Sequence, residues 1–162
     1  MAVNYHIKID AIPGMSQIDG FADQIQVESF SWAMTQTTNF QSAHGGGAGK
    51  VNVANLTFTH LVDKASPKLM LACCTGQHIK DAVLTCRKVD GSGGVDFLKI
   101  TLTDVLVSGV APTGATDADT PTEVVNLAFA SFKVDYQEQD NKGAKKGGAV
   151  TVGFSVQQNK KV

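Results

Sequence analysis

HLVDKASPKLMLACCTG, residues His60 to Gly76, is the one stretch whose pattern predicts a helix, whereas the rest of the chain is patterned as strands. Ser66 is expected to cap the helix N-terminus with its hydroxyl, and Pro67 suits the first helical position, where an N–H would have no partner. Gly76 supplies a left-handed stop. The segment is apolar around most of its circumference, so we expect neighbours on more than one side. One short helix among strands indicates an α+β or capped-barrel fold.

The length of 162 residues suits one domain, which we expect to span residues 1–162. Fourteen Lys and Arg against fifteen Asp and Glu give a net charge of -1, which offers no bulk attraction to nucleic acid or to an anionic membrane. No apolar run approaches bilayer length, and no basic, apolar leader opens the chain. We therefore expect synthesis in the cytoplasm, with no nucleic-acid partner and no membrane insertion.

The three cysteines cannot all form disulfides within the chain, which favours a reducing folding compartment. Cys73 and Cys74 are adjacent in the predicted helix, a geometry that hardly permits a bridge between them. Their apolar neighbours predict buried, unreactive thiols.

Alternation of apolar and polar residues predicts the first strand. Val3, Tyr5, Ile7 and Ile9 alternate with polar residues, which places His6 on the polar face.

A longer strand is predicted from Gln24 to Thr38. Its apolar phase slips by one position, which predicts a bulge near Glu28 and Ser29. If the aromatic residues at 30 and 32 face the core, the other face is small and uncharged and presents Ser31, Ala33, Thr35 and Thr37. That face is expected to be wet and to be available for contact, although a merely solvated strand face explains the pattern equally well.

The glycine-rich stretch SAHGGGAGK, Ser42 to Lys50, lacks side chains that could pack a core. It is either a flexible loop or a loop ordered against another surface. Its likeness to a phosphate-binding loop is superficial. The Walker pattern requires Gly in place of His44, Ser or Thr in place of Val51, and a helix afterwards.

Turns further along the chain are expected at the ends of a barrel. DGSGG, Asp90 to Gly94, between strands predicted at Asp81–Val89 and Val95–Ser108, is typical of a hairpin tip. Polar loops are predicted at Gly109–Pro121 and Glu138–Ala149. Seven or more strands, several of them bulged, predict a closed or nearly closed β-barrel with the helix packed outside it.

Catalytic and metal-binding patterns are absent from the sequence. The histidines at positions 6, 44, 60 and 78 stand apart, and each is interpreted as a surface or capping residue. Asp117 and Asp119 lack the following Gly and Glu of a calcium loop, so a solvated loop is favoured over a weak ion site. No serine lies in a GxSxG elbow. Lysines at 142, 145, 146, 160 and 161 lack interleaved aromatics, as on a solvated face. We predict a protein that is no enzyme and holds no cofactor or metal.

Six separated segments, in order and nearly spanning the chain, resemble the Hcp (haemolysin-coregulated protein) family, the tube subunits of the bacterial type VI secretion system. The segments are FSWAMTQ (30–36), HGGGAGKVNV (44–53), LTFTHLVDKASPKLMLACCTG (56–76), ITLTDVLVSGV (100–110), VNLAFASFKVDYQEQ (125–139) and GFSVQQN (153–159). The double cysteine and the TDADT loop (116–120) depart from the family pattern as local variation.

The resemblance implies a mainly β, phage-tail-tube-like fold, a compact β-barrel of two packed sheets with one short helix. It also implies that six copies close into a ring, that rings stack into a tube inside a contractile sheath, and that spike and baseplate proteins are further partners. The tube carries small effector proteins in its lumen and is itself secreted without a signal peptide.

Site residues follow from the same resemblance. The inter-subunit loop would comprise His44, Gly45, Gly46, Gly47, Ala48, Gly49 and Lys50. Lumen contacts with effectors would come from Ser31, Ala33 and Thr35. Because turns lie at barrel ends, ring stacking is assigned to Asp90, Gly91, Ser92, Gly93 and Gly94.

Two other classes of function remain open from the sequence. One is a monomeric carbohydrate- or peptide-binding barrel, and the other is a hydrolase. A symmetric ring would support the tube, a monomer with a ligand-dependent melting shift would support the binding module, and turnover abolished by one substitution would support the hydrolase.

Overall fold

This computed structural model describes residues 2–41, 45–91 and 93–162. They contain eleven strands and one helix. The predicted mainly β fold with one short helix is confirmed. In chain order the elements are β1 (Ala2–Ile9), β2 (Ile25–Val27), β3 (Ser29–Ser31), β4 (Met34–Asn39), β5 (Gly47–Val53), β6 (Leu56–Leu61), α1 (Ser66–Thr75), β7 (Ile79–Val89), β8 (Val95–Thr113), β9 (Thr122–Tyr136), β10 (Val150–Ser155) and β11 (Lys160–Lys161).

Nine of these strands form one antiparallel sheet that curls almost back on itself. Its ladder runs β3–β6–β9–β8–β7–β1–β2, and β10 and β11 extend from the second half of β9. Only Glu28 separates β2 from β3, and its amide donates to the carbonyl of Thr59. No ladder among the described residues joins β2 to β6, so the barrel is nearly closed and not fully closed.

The long strand predicted over 24–38 is divided into β2, β3 and β4. The first division falls at Glu28, where the apolar phase slips, and the second falls at Trp32 and Ala33. The indole N–H of Trp32 donates to the carbonyl of Ala54 at 2.9 Å, which anchors the chain where it leaves the barrel.

Strands β4 and β5 form a separate two-stranded sheet, here called the arm, whose described residues are 34–41 and 45–53. Its register pairs Met34 with Val53 and Asn39 with Gly47. The predicted loop over 42–50 is therefore wrong for Gly47–Lys50, which lie in β5. The ladder is irregular between Gln36 and Thr38, opposite Gly49, and glycine in a strand is typical of such an irregularity.

The helix is shorter than predicted, because His60 lies in β6 and not in a helix. Pro67 and the left-handed Gly76 take their predicted places, but the N-cap is Ala65, and the Ser66 hydroxyl accepts the Asp63 amide instead of capping. The helix packs on β8 with one face only, so the expectation of cover on several sides is wrong. Its buried residues are Ser66, Leu69 and Ala72.

His6 is fully buried, contrary to the prediction that it lies on a polar surface. The polar face of β1 is covered at His6 because the segment between β1 and β2 folds back over it, whereas Lys8 on the same face is exposed. The Ser16 hydroxyl lies 3.1 Å from His6 Nε2, and the ring of Phe21 stacks on the imidazole at 4.2 Å. Alternation specifies the two faces of a strand, but it does not reveal that a distant loop covers the second one.

The two longest strands, β8 and β9, pair from Leu98–Tyr136 at one end to Thr113–Thr122 at the other. The polar loop predicted from Gly109 is therefore shorter, residues 114–121. An irregularity between Val107 and Gly109 absorbs one residue and lets β8 continue.

Candidate subunit-contact surfaces

Ser31, Ala33 and Thr35 are all exposed, and they lie on a line from the barrel to the arm. Ser31 pairs with Thr57 of β6, and Thr35 pairs with Asn52 of β5. The carbonyl of Ala33 accepts the amide of Ala54 between them. Phe30 and Trp32 pack against the core on the opposite face, as alternation predicts. The three residues therefore form one continuous, uncharged strip.

The arm has almost no contact with the core along its length. Every residue of β4 is exposed, and so are Gly45 to Lys50 on the opposite side; His44 lies outside the described residues. Phe40, just beyond the end of β4, is 82% exposed. An isolated two-stranded hairpin is marginally stable in water, so the arm is a surface that needs a partner.

An apolar groove lies where the arm leaves the barrel. It has a volume of about 370 Å³ and is bounded by the base of the arm on one side and by β9 and β10 on the other. Its lining residues are Met34, Gln36, Gly49, Val51, Val53, Phe132, Phe154 and Asn159. Val150 and Val152 continue the apolar surface along β10 with 66% and 55% of their areas exposed. Exposed apolar surface of this kind marks an interaction site.

The turns predicted to lie at the barrel ends divide between two opposite ends. Because Leu98 pairs with Tyr136, the β7–β8 turn and the loop 137–149 emerge at one end, which we call the lysine end. A cavity of about 340 Å³ lies between them. Because Thr113 pairs with Thr122, the loop 114–121 lies at the other end, which we call the aspartate end.

The β7–β8 turn has the predicted hairpin form, with Ser92 outside the described residues. Gly93 and Gly94 have positive φ angles of 113° and 88°. A Cβ at Gly94 would stand 2.3 Å from the carbonyl oxygen of Lys88, so only glycine fits there. The Asp90 carboxylate accepts the amide of Gly94 at 3.3 Å and tightens the turn.

The polar loop predicted at Glu138–Ala149 is present, and hydrogen bonds within it hold its backbone. The Asp140 carboxylate accepts the amides of Lys142 and Ala144 at 2.8 and 3.0 Å. Glu138 pairs with Lys146 at 3.2 Å. These bonds use the acidic groups of the loop, whereas no ion pair among the described residues engages Lys142 or Lys145.

The aspartate end carries the opposite charge. Asp117 and Asp119 are exposed on the loop 114–121, and neither forms an ion pair with any described residue. Among the described residues, the lysine end therefore carries two lysines outside any ion pair and the aspartate end carries two such aspartates.

Two histidines that the sequence suggested to be surface groups are buried with polar partners. His60 Nε2 lies 2.9 Å from Glu123 Oε1, and both side chains are 0% exposed. His60 Nδ1 lies 3.9 Å from Asp63 Oδ2. Burial and the nearby Arg87 guanidinium lower the pKa of His6 below its usual range. No spacing in the sequence signals the His60–Glu123 pair, because it joins strands 63 residues apart.

The cysteines differ from their predicted environments. Cys74 is exposed and Cys73 is half-buried, whereas Cys86 in β7 is buried. Burial raises the pKa of the Cys86 thiol to about 11. The predicted burial of Cys73 and Cys74 is wrong because the helix turns only one face to the barrel.

Within residues 2–41, 45–91 and 93–162, no group of three or more His, Cys, Asp or Glu side chains could hold a metal ion. The same part of the chain contains no helix with the length and apolar character needed to cross a membrane.

Comparisons with known proteins converge on one family. Residues 6–136 match the family model described as "Type VI secretion system effector, Hcp". The chain is 46% identical over 159 residues to protein hcp1 of Pseudomonas aeruginosa, covering 98% of each chain. Hcp1 of Salmonella typhimurium matches with a TM-score of 0.82 and 36% identity over the whole of both chains. A structure titled as a type six secretion system protein matches with a TM-score of 0.93 and 30% identity over 99% of this chain and 100% of that one.

Proposed function

The chain belongs to the Hcp family of type VI secretion proteins, and from this premise we propose that it is, as one domain, a structural subunit of the secretion tube. Six copies would close into a ring, and the rings would stack into a tube that carries small effector proteins and is secreted with them, by a route that needs no signal peptide. Sheath, spike and baseplate proteins of the secretion machine are the proposed further partners. The role is structural and needs neither catalysis nor a cofactor.

The observation that carries the proposal is the arm. A two-stranded hairpin with every β4 residue exposed is marginally stable by itself in water, and an apolar groove lies beside it. A contact between two different patches of the same chain closes into a ring when its rotation divides the circle. The outer end of the arm and the groove at its base are two such patches.

Native mass measurement at micromolar concentration tests the ring. We expect a single species of six subunits, and a monomer would contradict the proposal and favour the ligand-binding barrel. Replacing residues 44–50 with a short linker should weaken the ring while each barrel stays folded. Retention of ring mass after that replacement would remove these residues from the subunit contact.

Ser31, Ala33 and Thr35 are the proposed lumen contacts, supported by the continuous uncharged strip that they form. Ser31→Gln should leave the ring mass unchanged and reduce the amount of effector that co-purifies with the ring. A matched control is Thr103→Gln, at an exposed residue of β8 outside this strip. Unchanged retention of several effectors by the Ser31 variant would assign Ser31 to an ordinary solvated surface.

Stacking is proposed to bring the lysine end of one ring against the aspartate end of the next, with Asp90 to Gly94 in that contact. The support is that Lys142 and Lys145 at one end, and Asp117 and Asp119 at the other, lie outside any ion pair among the described residues. Reversal of Lys142 and Lys145 to Glu should shorten tubes formed at high concentration, and reversal of Asp117 and Asp119 to Lys in the same chain should restore them. If the fourfold variant stacks no better than the double variant, the assigned ends are wrong.

A further inference from the structure

We propose that a cavity between β2 and the end of β6 binds an organic cation, namely an alkylguanidinium or alkylammonium group like those of arginine and lysine side chains. The cavity has a volume of about 330 Å³, within the roughly 300–1,000 Å³ that is usual for ligand pockets. It is lined by the segment between β1 and β2, by β2, by the end of β6 and the residues that follow it, and by Thr120. The inference is separate from the proposed tube and does not depend on it.

Backbone hydrogen bonds fix the walls of this cavity. The amide of Glu28 donates to the carbonyl of Thr59 at 2.8 Å, which holds the β2 side against β6. The amide of Val62 donates to the carbonyl of Pro121 at 2.9 Å, which holds the other side against the loop 114–121. A site whose walls are already held in place loses little conformational freedom when a ligand enters.

The charged residues that line the cavity, Glu28 and Asp63, are both acidic. Glu28 forms no ion pair with any described residue. Asp63 keeps only 14% of its side chain exposed, and its Oδ1 accepts the amide of Ala65 at 2.8 Å. Lys64, which follows Asp63 in the chain, is engaged with Asp23 at 3.8 Å. The cavity therefore presents two carboxylates that no lysine or arginine of the described chain neutralises.

Buried polar atoms without partners lie behind Asp63. His60 and Glu123 are 0% exposed, and neither His60 Nδ1 nor Glu123 Oε2 has a hydrogen-bond partner among the described residues. His60 Nδ1 faces Asp63 Oδ2 across 3.9 Å, so Asp63 lies between the buried pair and the cavity. Buried polar atoms are rarely left unpaired, and a buried carboxylate requires a positive partner. A cation at Asp63 Oδ2 supplies that charge to a cluster of two carboxylates and one imidazole.

Apolar side chains complete the lining and suit the stem of a long cation. Met15 and Leu61 line the cavity and are 59% and 46% exposed. Guanidinium and ammonium side chains bury their methylene stems along such surface while the charged head meets polar groups. No group of three His, Cys, Asp or Glu side chains within the described ranges could hold a metal ion. The lining therefore favours an organic cation over a metal ion.

Nuclear magnetic resonance of the full chain, with labelled methionine and leucine methyl groups, tests the site. n-Butylguanidinium is titrated to about 10 mM, which detects a Kd in the millimolar range. We expect saturable shifts of the Met15 and Leu61 methyl signals, and no shift at Leu71, which is exposed on the helix. Butylurea has nearly the same shape without the charge and should bind at least about tenfold more weakly. Equal affinity for butylurea, or the absence of shifts at Met15 and Leu61, would overturn the inference.

Substitution of the two carboxylates provides the second test. Asp63→Asn should weaken the binding of n-butylguanidinium at least about tenfold, because the charge is lost, while the new side chain keeps an oxygen for the Ala65 amide. Glu28→Gln should also weaken binding. Glu138→Gln, at an exposed ion pair outside the cavity, is the control and should bind like the parent chain. A thermal melt confirms that each variant is folded. If folded Asp63→Asn and Glu28→Gln both bind like the parent chain, the inference fails.

A capped peptide of one arginine between two glycines distinguishes the two sources of the cation. Binding at least about tenfold tighter than that of n-butylguanidinium would identify the ligand as a side chain of another polypeptide, because the peptide backbone then contributes contacts. Equal or weaker binding would identify a free small cation. The same peptide with citrulline in place of arginine lacks the charge, and binding of both peptides with equal affinity would overturn the inference.

Discussion

Replacing Glu123 with Ala should lower the free energy of unfolding more than removing any surface charge does. The side chains of Glu123 and His60 are both 0% exposed, and the bond between them is 2.9 Å long. Removing one member of a buried pair costs about 3–5 kcal/mol, because the other member stays buried without its partner. His60 Nδ1 gains little compensation from Asp63, which lies 3.9 Å away. We therefore expect a loss of at least about 3 kcal/mol of unfolding free energy.

Chemical and thermal unfolding at equal protein concentrations measure this loss. For a chain of this length, 3 kcal/mol lowers Tm by about 6–12 °C. Glu123→Gln, which keeps the volume and an oxygen toward His60, should lose about 1 kcal/mol. Glu138→Ala, at an exposed ion pair, is the control and should change Tm little. If the unfolding free energy of Glu123→Ala lies within about 1 kcal/mol of that of the parent chain, the buried pair does not stabilise the pairing of β6 with β9.

Three further outcomes can be measured on the same material. Gly14→Ala should lower Tm sharply, because its Cβ would stand 2.4 Å from a backbone oxygen, whereas Gly148→Ala meets nothing within 4 Å and should melt like the parent. The pKa of His6 is lowered by burial, so the unfolded chain binds more protons than the folded chain, and stability should fall as pH drops from about 7 to 5. His6→Gln should flatten this pH dependence of stability. An unchanged slope in the variant would show that His6 is not its source. A thiol reagent should label the exposed Cys74 in the folded chain and reach Cys86, whose pKa is about 11, only after unfolding; early labelling of Cys86 would show that β7 opens locally.

Local backbone chemistry was predictable from the sequence. The left-handed Gly76, the break near Glu28 and the glycine turn at 90–94 all follow from conformations that the residue types favour within a few positions. The exposure of Ser31 and its neighbours followed from alternation once Phe30 and Trp32 were turned to the core.

Features set by distant segments were not predictable. His6 is buried by a loop that returns over β1, and His60 is buried by its pairing with Glu123 across β6 and β9. The groove exists only because the arm stands beside β10, so its five apolar residues looked like ordinary core positions in the sequence. Phe40 had no pattern to distinguish it, because it lies between the strand predicted over 24–38 and the glycine-rich stretch 42–50.

The pairing of β8 with β9 from one end of the barrel to the other has a mechanical consequence for the proposed tube. Thrust applied by one ring to the next would enter at the lysine end and leave at the aspartate end, parallel to these strands. A force parallel to the strands loads many of the β8–β9 hydrogen bonds at once. A force perpendicular to the strands would instead break these bonds one after another. In the proposed tube the subunit would therefore be stiffest along the direction of β8 and β9, and weakest to forces that pull β10 sideways from β9.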